Sequence, residues 1–258
     1  MHPILLHLGP LTLYSYGAML VLGFLTTTWL ACRFARQVPA ASVAITAEQV
    51  VDFSCFALLG GIVGGRIFYV ILRWEEFARD PLEIVALWHG GLVWYGGFIG
   101  GIMAGWLYVR AQRLDFLRVL DQFMPFVALG HAIGRVGCFF NGCCYGKTTT
   151  LWCGVWFPGH EQAVLPTQLF EAGGLLVLFL ILRRLQSPSN LRSPGTVFGA
   201  YLIGYGLLRC VIEWFRGDQT VWWMGLTLQQ LISACLVVCG LALWWGARWR
   251  APRTTRRA

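Results

Sequence analysis

Residues 50–72, VVDFSCFALLGGIVGGRIFYVIL, decide the fold. At a helical rise of about 1.5 Å per residue this run reaches roughly 35 Å, a little more than the ~30 Å hydrocarbon layer of a bilayer. Working outward, six further apolar runs follow the same pattern at 14–32, 91–109, 119–139, 167–182, 196–213 and 227–247. The third run is glycine-dense and the fifth is short. The chain is 57% hydrophobic and only 12% charged, where a soluble domain carries roughly 25% charged residues. The expected fold is all-α: a polytopic integral membrane protein of about seven transmembrane helices, one transmembrane domain over residues 1–258. Met1 to Pro10 lacks a basic n-region, so the first apolar run is expected to be a retained helix. Neither end carries a lipidation signal.

The formal charge of +8 does not point to nucleic acid, because the basic residues stand singly between apolar runs and form no compact basic domain. It reads instead as topology. Short cytoplasmic loops hold an excess of Lys and Arg. One side carries Arg33, Arg36, Arg110, Arg113, Arg118, Arg183, Arg184, Arg192, Arg248, Arg250, Arg253, Arg256 and Arg257. The other carries Arg73, Arg79, Lys147 and Arg216, while Arg66, Arg135 and Arg209 fall within spans. The N-terminus is therefore expected outside and the basic tail, about 248–258, in the cytoplasm. The Ser/Pro-rich stretch 186–195 reads as a cytoplasmic connector and 147–165 as a short periplasmic loop. Trp74, Trp88, Trp94, Trp222, Trp223, Trp244, Trp245 and Trp249 cluster near span ends, as an aromatic belt requires. Glycines four residues apart, Gly60/Gly64 and Gly96/Gly100 among them, favour close helix packing over a glycine-lined channel.

Polar residues in four of the spans carry the chemistry. A guanidinium at the outer end of the fourth span, Arg135, costs at least ~2.5 kcal/mol to insert. Asp121, the acid nearest in that span, lies about four turns away, so no partner exists on the same helix and an anionic ligand is favoured. In the sixth span Tyr201, Tyr205, Arg209 and Glu213 recur every four residues and share a face, which is either a structural ion pair or half of a phosphate clamp. Gln168 and Glu171 share a face of the fifth helix's first turn, where Pro166 and an early acid are also ordinary helix-start signals. Tyr16 opens the first helix on the same side.

Of nine cysteines, Cys32, Cys55, Cys210, Cys235 and Cys239 sit inside apolar runs and read as packing residues. Cys138, Cys143, Cys144 and Cys153 form an outer group. Their spacing matches no zinc pattern and no His pair accompanies them. The leading reading is one disulfide, Cys143 or Cys144 with Cys153, with a catalytic thiol as the alternative.

At these residues the sequence resembles the bacterial prolipoprotein diacylglyceryl transferase family. The likeness rests on HPILLHLGPLTLYSYG, GGLVWYGGFIGG, GRVGCFFNGCCYG, PTQLFE, IGYGLLRCVIEWFR and LTLQQ, which together span nearly the whole chain. It implies an inner-membrane enzyme that moves the diacylglyceryl group of phosphatidylglycerol to the lipobox cysteine of preprolipoproteins and releases glycerol phosphate, with no metal or organic cofactor. Carried over, Arg135, Arg209, Glu213 and Tyr95 would be catalytic. Tyr16, Cys138, Asn141, Gly146, Gln168, Glu171, Tyr205 and Arg216 would join both arginines in binding substrate. The family commonly has Asn at Cys138, Glu at Cys143 and His at Tyr95. Two other readings stay open, a non-catalytic lipid or peptide carrier and a membrane thiol oxidoreductase built on the outer cysteines.

Overall fold

The computed structural model describes residues 4–8, 11–39, 43–159, 161–191, 193–217, 219, 221–223 and 225–250. Seven long helices stand where the seven apolar runs fall: α1 (Ser15–Gln37), α2 (Ala47–Leu72), α4 (Trp94–Ala111), α5 (Phe116–Asn141), α6 (Thr167–Leu185), α8 (Thr196–Phe215) and α9 (Leu228–Arg250). Two single turns, α3 (Trp74–Phe77) and α7 (Pro188–Leu191), lie in the connections. The chain is thus all-α and polytopic. Among the described residues five helices, α1, α2, α5, α8 and α9, are long and apolar enough to cross a membrane. The glycine-dense α4 and the short α6 are not among them. Arg192, Arg253, Arg256 and Arg257 from the basic-side count lie outside the described residues.

Apolar side chains point outward as well as inward. Leu20, Val21, Leu25 and Trp29 on α1 are each about half exposed or more, a face that water would penalise and acyl chains would not. With lipid as the solvent, hydrophobicity cannot drive helix against helix, and close backbone approach takes its place. The α2–α4 pair meets through glycine. A Cβ on Gly64 would stand 2.8 Å from the Cα of Gly100, and one on Gly100 would stand 2.9 Å from the Cα of Gly64. Close packing, rather than a glycine-lined channel, is what these residues provide. Helix α5 is central, touching α1, α6 and α8, while α9 packs on α8.

Buried polar side chains tie each end of the bundle. At one end the Asp121 carboxylate accepts the backbone N–H groups of Gly195 and Phe198, both at 2.7 Å, and so caps the start of α8 from the neighbouring α5. Gln122 accepts from Ala44 and Ile45 ahead of α2, and Gln186 after α6 donates to the carbonyls of Asp121 and Gln122. At the other end, Arg66 near the close of α2 donates all five of its N–H groups to backbone carbonyls. Nε reaches Ile84, Nη1 reaches Gly90 and Gly91, and Nη2 reaches Glu83 and Ala86. This guanidinium folds the connection between α3 and α4 around itself, with the rings of Tyr69 and Phe77 over it.

Two small hairpins had no counterpart in the sequence reading: β1 (Ile4–Leu8) with β2 (Leu11–Tyr14) before α1, and β3 (Val221–Trp223) with β4 (Leu226–Thr227) before α9. Their residues are as apolar as the helices they precede, so composition does not separate them.

Candidate functional site

Three helix ends are pinned together by the strip that follows α5. Gly146 donates to the carbonyl of Leu165 at 2.8 Å, Lys147 to that of Phe215 at 2.9 Å, and Leu165 back to Lys147 at 3.0 Å. The strip therefore joins the end of α5 to the start of α6 and the end of α8. Only glycine fits at its centre. A Cβ on Gly146 would meet the Phe215 carbonyl and the Thr167 side chain at 2.7 Å. Below this knot Arg135 lies six residues before the end of α5, and Arg209 six before the end of α8. At 1.5 Å per residue both sit about 9 Å in from the helix ends, at matching depth.

Each guanidinium has a carboxylate beside it. Arg135 Nη2 lies 3.0 Å from Glu171 Oε1, and Arg209 Nη2 lies 2.8 Å from Glu213 Oε2. The partner absent from Arg135's own helix is thus supplied by α6, which corrects the step from a missing intrahelical partner to an anionic ligand. Glu171 is 1% exposed and Glu213 4% exposed, so neither pair is a loose surface bridge. Thr227 donates to Glu213 Oε1 at 2.8 Å, fixing that carboxylate from the start of α9. Even so, Arg135 Nε and Arg209 Nη1 are buried without a hydrogen-bond partner among the described residues. Buried donors are seldom left unmade, and here one nitrogen of each guanidinium is.

His131 and Tyr205 lie beside these pairs. Their rings are 5.2 Å apart, and each is within electrostatic reach of both Arg135 and Arg209. His131 Nε2 is 3.9 Å from Glu171 Oε1, Tyr205 is hydrogen-bonded to Arg135, and Tyr201 stacks on Tyr205 at 5.9 Å. His131 is the residue that the sequence reading passed over, although it precedes Arg135 by one helical turn and so shares its face.

Around this centre, the buried Gln168 donates to the carbonyl of Cys143 at 2.6 Å, and Tyr16 faces Arg135 and the thiols of Cys138, Cys143 and Cys144. Asn141 is hydrogen-bonded to Cys143. Arg216 acts electrostatically on Cys144 and, with Lys147, Glu213, Gln219, Thr227 and Gln230, borders a cavity of about 440 Å³ beside the Arg209–Glu213 pair. Tyr95 is not gathered in. It lies 58% exposed at the start of α4 with its ring 5.4 Å from Trp94. The expected disulfide does not form, since all nine cysteines are free. Cys143 and Cys144 instead fold back on Cys138, the three sulfurs lying within 4.8 Å of one another. The Cys144 thiol is drawn well below the ordinary range by hydrogen bonds from Cys138 and Cys143, and Arg216 and Arg135 add to this against the effect of burial.

Two buried ion pairs, Arg135–Glu171 and Arg209–Glu213, each with an arginine nitrogen left without a partner among the described residues, sit inside a polytopic helical membrane protein. The family model for prolipoprotein diacylglyceryl transferase matches residues 3–246, and the chain belongs to that family of transferases. Relatives named phosphatidylglycerol–prolipoprotein diacylglyceryl transferase include one from Pseudoalteromonas atlantica, 38% identical over 95% of this chain and 89% of its own length. Another, from Legionella pneumophila strain Lens, is 33% identical over 96% and 97%, and one from Clostridium tetani is 33% identical over 93% and 96%.

Proposed function

We propose that this protein transfers the diacylglyceryl group of phosphatidylglycerol to the lipobox cysteine thiol of preprolipoproteins. The observation that carries this reading is the unpartnered buried nitrogen on each of two guanidinium groups at matching depth, Arg135 Nε and Arg209 Nη1, which suits a phosphodiester bridging them. Family membership supplies the substrate class.

In the reaction the acceptor thiol loses its proton, and its sulfur attacks the glyceryl carbon beside the phosphate. A C–S bond forms, the C–O bond to phosphate breaks, and glycerol phosphate leaves with the electron pair. Arg135 and Arg209 stabilise the charge that gathers on the departing oxygen. Glu213, held by Thr227, orients Arg209, and Glu171 shares Arg135 with the incoming phosphate. His131, beside the ion pairs, accepts the thiol proton, with a lowered cost of forming imidazolium from the bound phosphate and Glu171. Tyr16, Cys138, Asn141, Gly146, Gln168, Tyr205 and Arg216 line or shape the pocket, and Tyr95, exposed at the start of α4, stays outside it. The chain makes seven passes through the bacterial inner membrane, N-terminus outside and C-terminus cytoplasmic, with the site toward the outer leaflet.

Purified protein given phosphatidylglycerol and a lipobox peptide in detergent should produce the thioether-linked diacylglyceryl peptide and one glycerol phosphate per peptide. Binding of both substrates with no thioether at any dose would replace the enzyme with a carrier. Transfer surviving replacement of Cys138, Cys143, Cys144 and Cys153 by Ser removes the thiol oxidoreductase reading.

A further inference from the structure

The stretch Cys138–Phe–Phe–Asn–Gly–Cys143–Cys144 ends α5 in a way that gathers its thiols. Gly142 takes the left-handed conformation at φ 75°. Its N–H bonds the Phe139 carbonyl at 3.2 Å and the Cys143 N–H bonds the Cys138 carbonyl at 3.2 Å. This six-to-one closure is the helix cap that lays the second residue past the helix against the last turn, here Cys143 against Cys138. Cys144 then takes φ 63°, a left-handed value uncommon outside glycine, and turns its own sulfur into the same space. The three sulfurs lie within 4.8 Å of one another, and Cys138 is 9% exposed.

We infer that Cys138, Cys143 and Cys144 form a three-thiolate site for a soft d10 cation, Cu(I) in particular. A trigonal ion with bonds of about 2.3 Å needs sulfurs about 4.0 Å apart, so the trio closes by less than an ångström. Among the described residues no His, Asp or Glu joins this group as a fourth ligand. Tetrahedral zinc would have to complete its shell from water, whereas Cu(I) is selected by soft thiolates and needs no further ligand. Loading exchanges three thiol protons for one monovalent cation and leaves two negative charges. Arg135 and Arg216, both within electrostatic reach of Cys144, offset them. The site borders the proposed lipid pocket through Cys138 and Arg135, but its metal binding does not rest on the transfer reaction.

Full-length protein, purified reduced and anaerobic in detergent, is titrated with Cu(I) against a chromophoric Cu(I) chelator. The expected result is one Cu(I) per chain with sulfur-only ligation at about 2.3 Å by X-ray absorption. Cys138→Ser, Cys143→Ser and Cys144→Ser should each weaken binding at least 100-fold, and Cys153→Ser should leave it unchanged. Thermal unfolding and Cys143→Ala, which removes the sulfur at a partly buried position, separate loss of ligand from loss of fold. Equal Cu(I) competition by the triple serine variant, an equal loss in Cys153→Ser, or retention of Zn(II) with exclusion of Cu(I) would overturn the inference.

Discussion

Replacing Arg66 by lysine should open the connection between α3 and α4 without touching the proposed lipid site. Arginine offers five N–H donors in a planar fork and lysine only three, while five carbonyls, from Glu83, Ile84, Ala86, Gly90 and Gly91, surround the guanidinium. At least two carbonyls therefore lose a charge-assisted partner. At about 1.5 kcal/mol each, the lower bound for hydrogen bonds to a charged group, the change costs about 3 kcal/mol. Converted at 1.4 kcal/mol per decade, that raises the open population of the connection by roughly 100-fold. Limited proteolysis in detergent reads this population directly when opening and closing are fast relative to cleavage, with chymotrypsin cutting near Trp74, Phe77 or Trp88. Glu76→Gln is the control, because its ion pair with Arg73 is more than half exposed and contributes little. Equal cleavage rates for the wild type and Arg66→Lys would refute the reasoning.

Three further outcomes follow from the same geometry. Gly64→Ala should lower stability by about 1–3 kcal/mol through overpacking against Gly96 and Gly100, whereas Gly173→Ala, whose Cβ meets nothing within 4 Å, should be neutral or stabilising; comparable thermal midpoints for the two variants would contradict the packing account. Asp121→Asn leaves one carboxamide oxygen where two carboxylate oxygens accept Gly195 and Phe198, and thermal unfolding in detergent should show a loss of about 1–3 kcal/mol. His131→Gln should lower kcat for lipid transfer by about 100-fold with the KM for phosphatidylglycerol nearly unchanged, and Tyr95→Phe should change kcat far less; the reverse order would assign the proton to Tyr95.

Much of the fold was legible because hydrophobic length is a direct consequence of bilayer thickness. The run 50–72 became α2 at Ala47–Leu72, and 196–213 became α8 at Thr196–Phe215. Helices extend past the apolar runs where polar residues still suit their ends, as Arg36 does in the last turn of α1 and Asp115 does as the cap of α5. The polar stripe of α8 was readable from its four-residue period, and the Arg209–Glu213 pair lies on it. Glu171 beside Arg135 was not readable as a pair, because the two residues lie on different helices and no local period relates them. The thiol trio was hidden for another reason: C-x4-C-C matches no metal spacing until Gly142 and Cys144 take left-handed conformations and fold the chain back. Arg66 resembled any intramembrane arginine, and its five carbonyl partners exist only once the connection has closed around it.

The central claim is that Arg135 and Arg209 hold one phosphate together, and transfer kinetics of Arg135→Gln, Arg209→Gln and the double variant test it most directly. Each single change should cut kcat/KM by about 100- to 1000-fold, and the double variant should lose far less than the product of the two, because the residues act as a unit. Full kcat/KM in either single variant, or losses that simply multiply, would contradict the account.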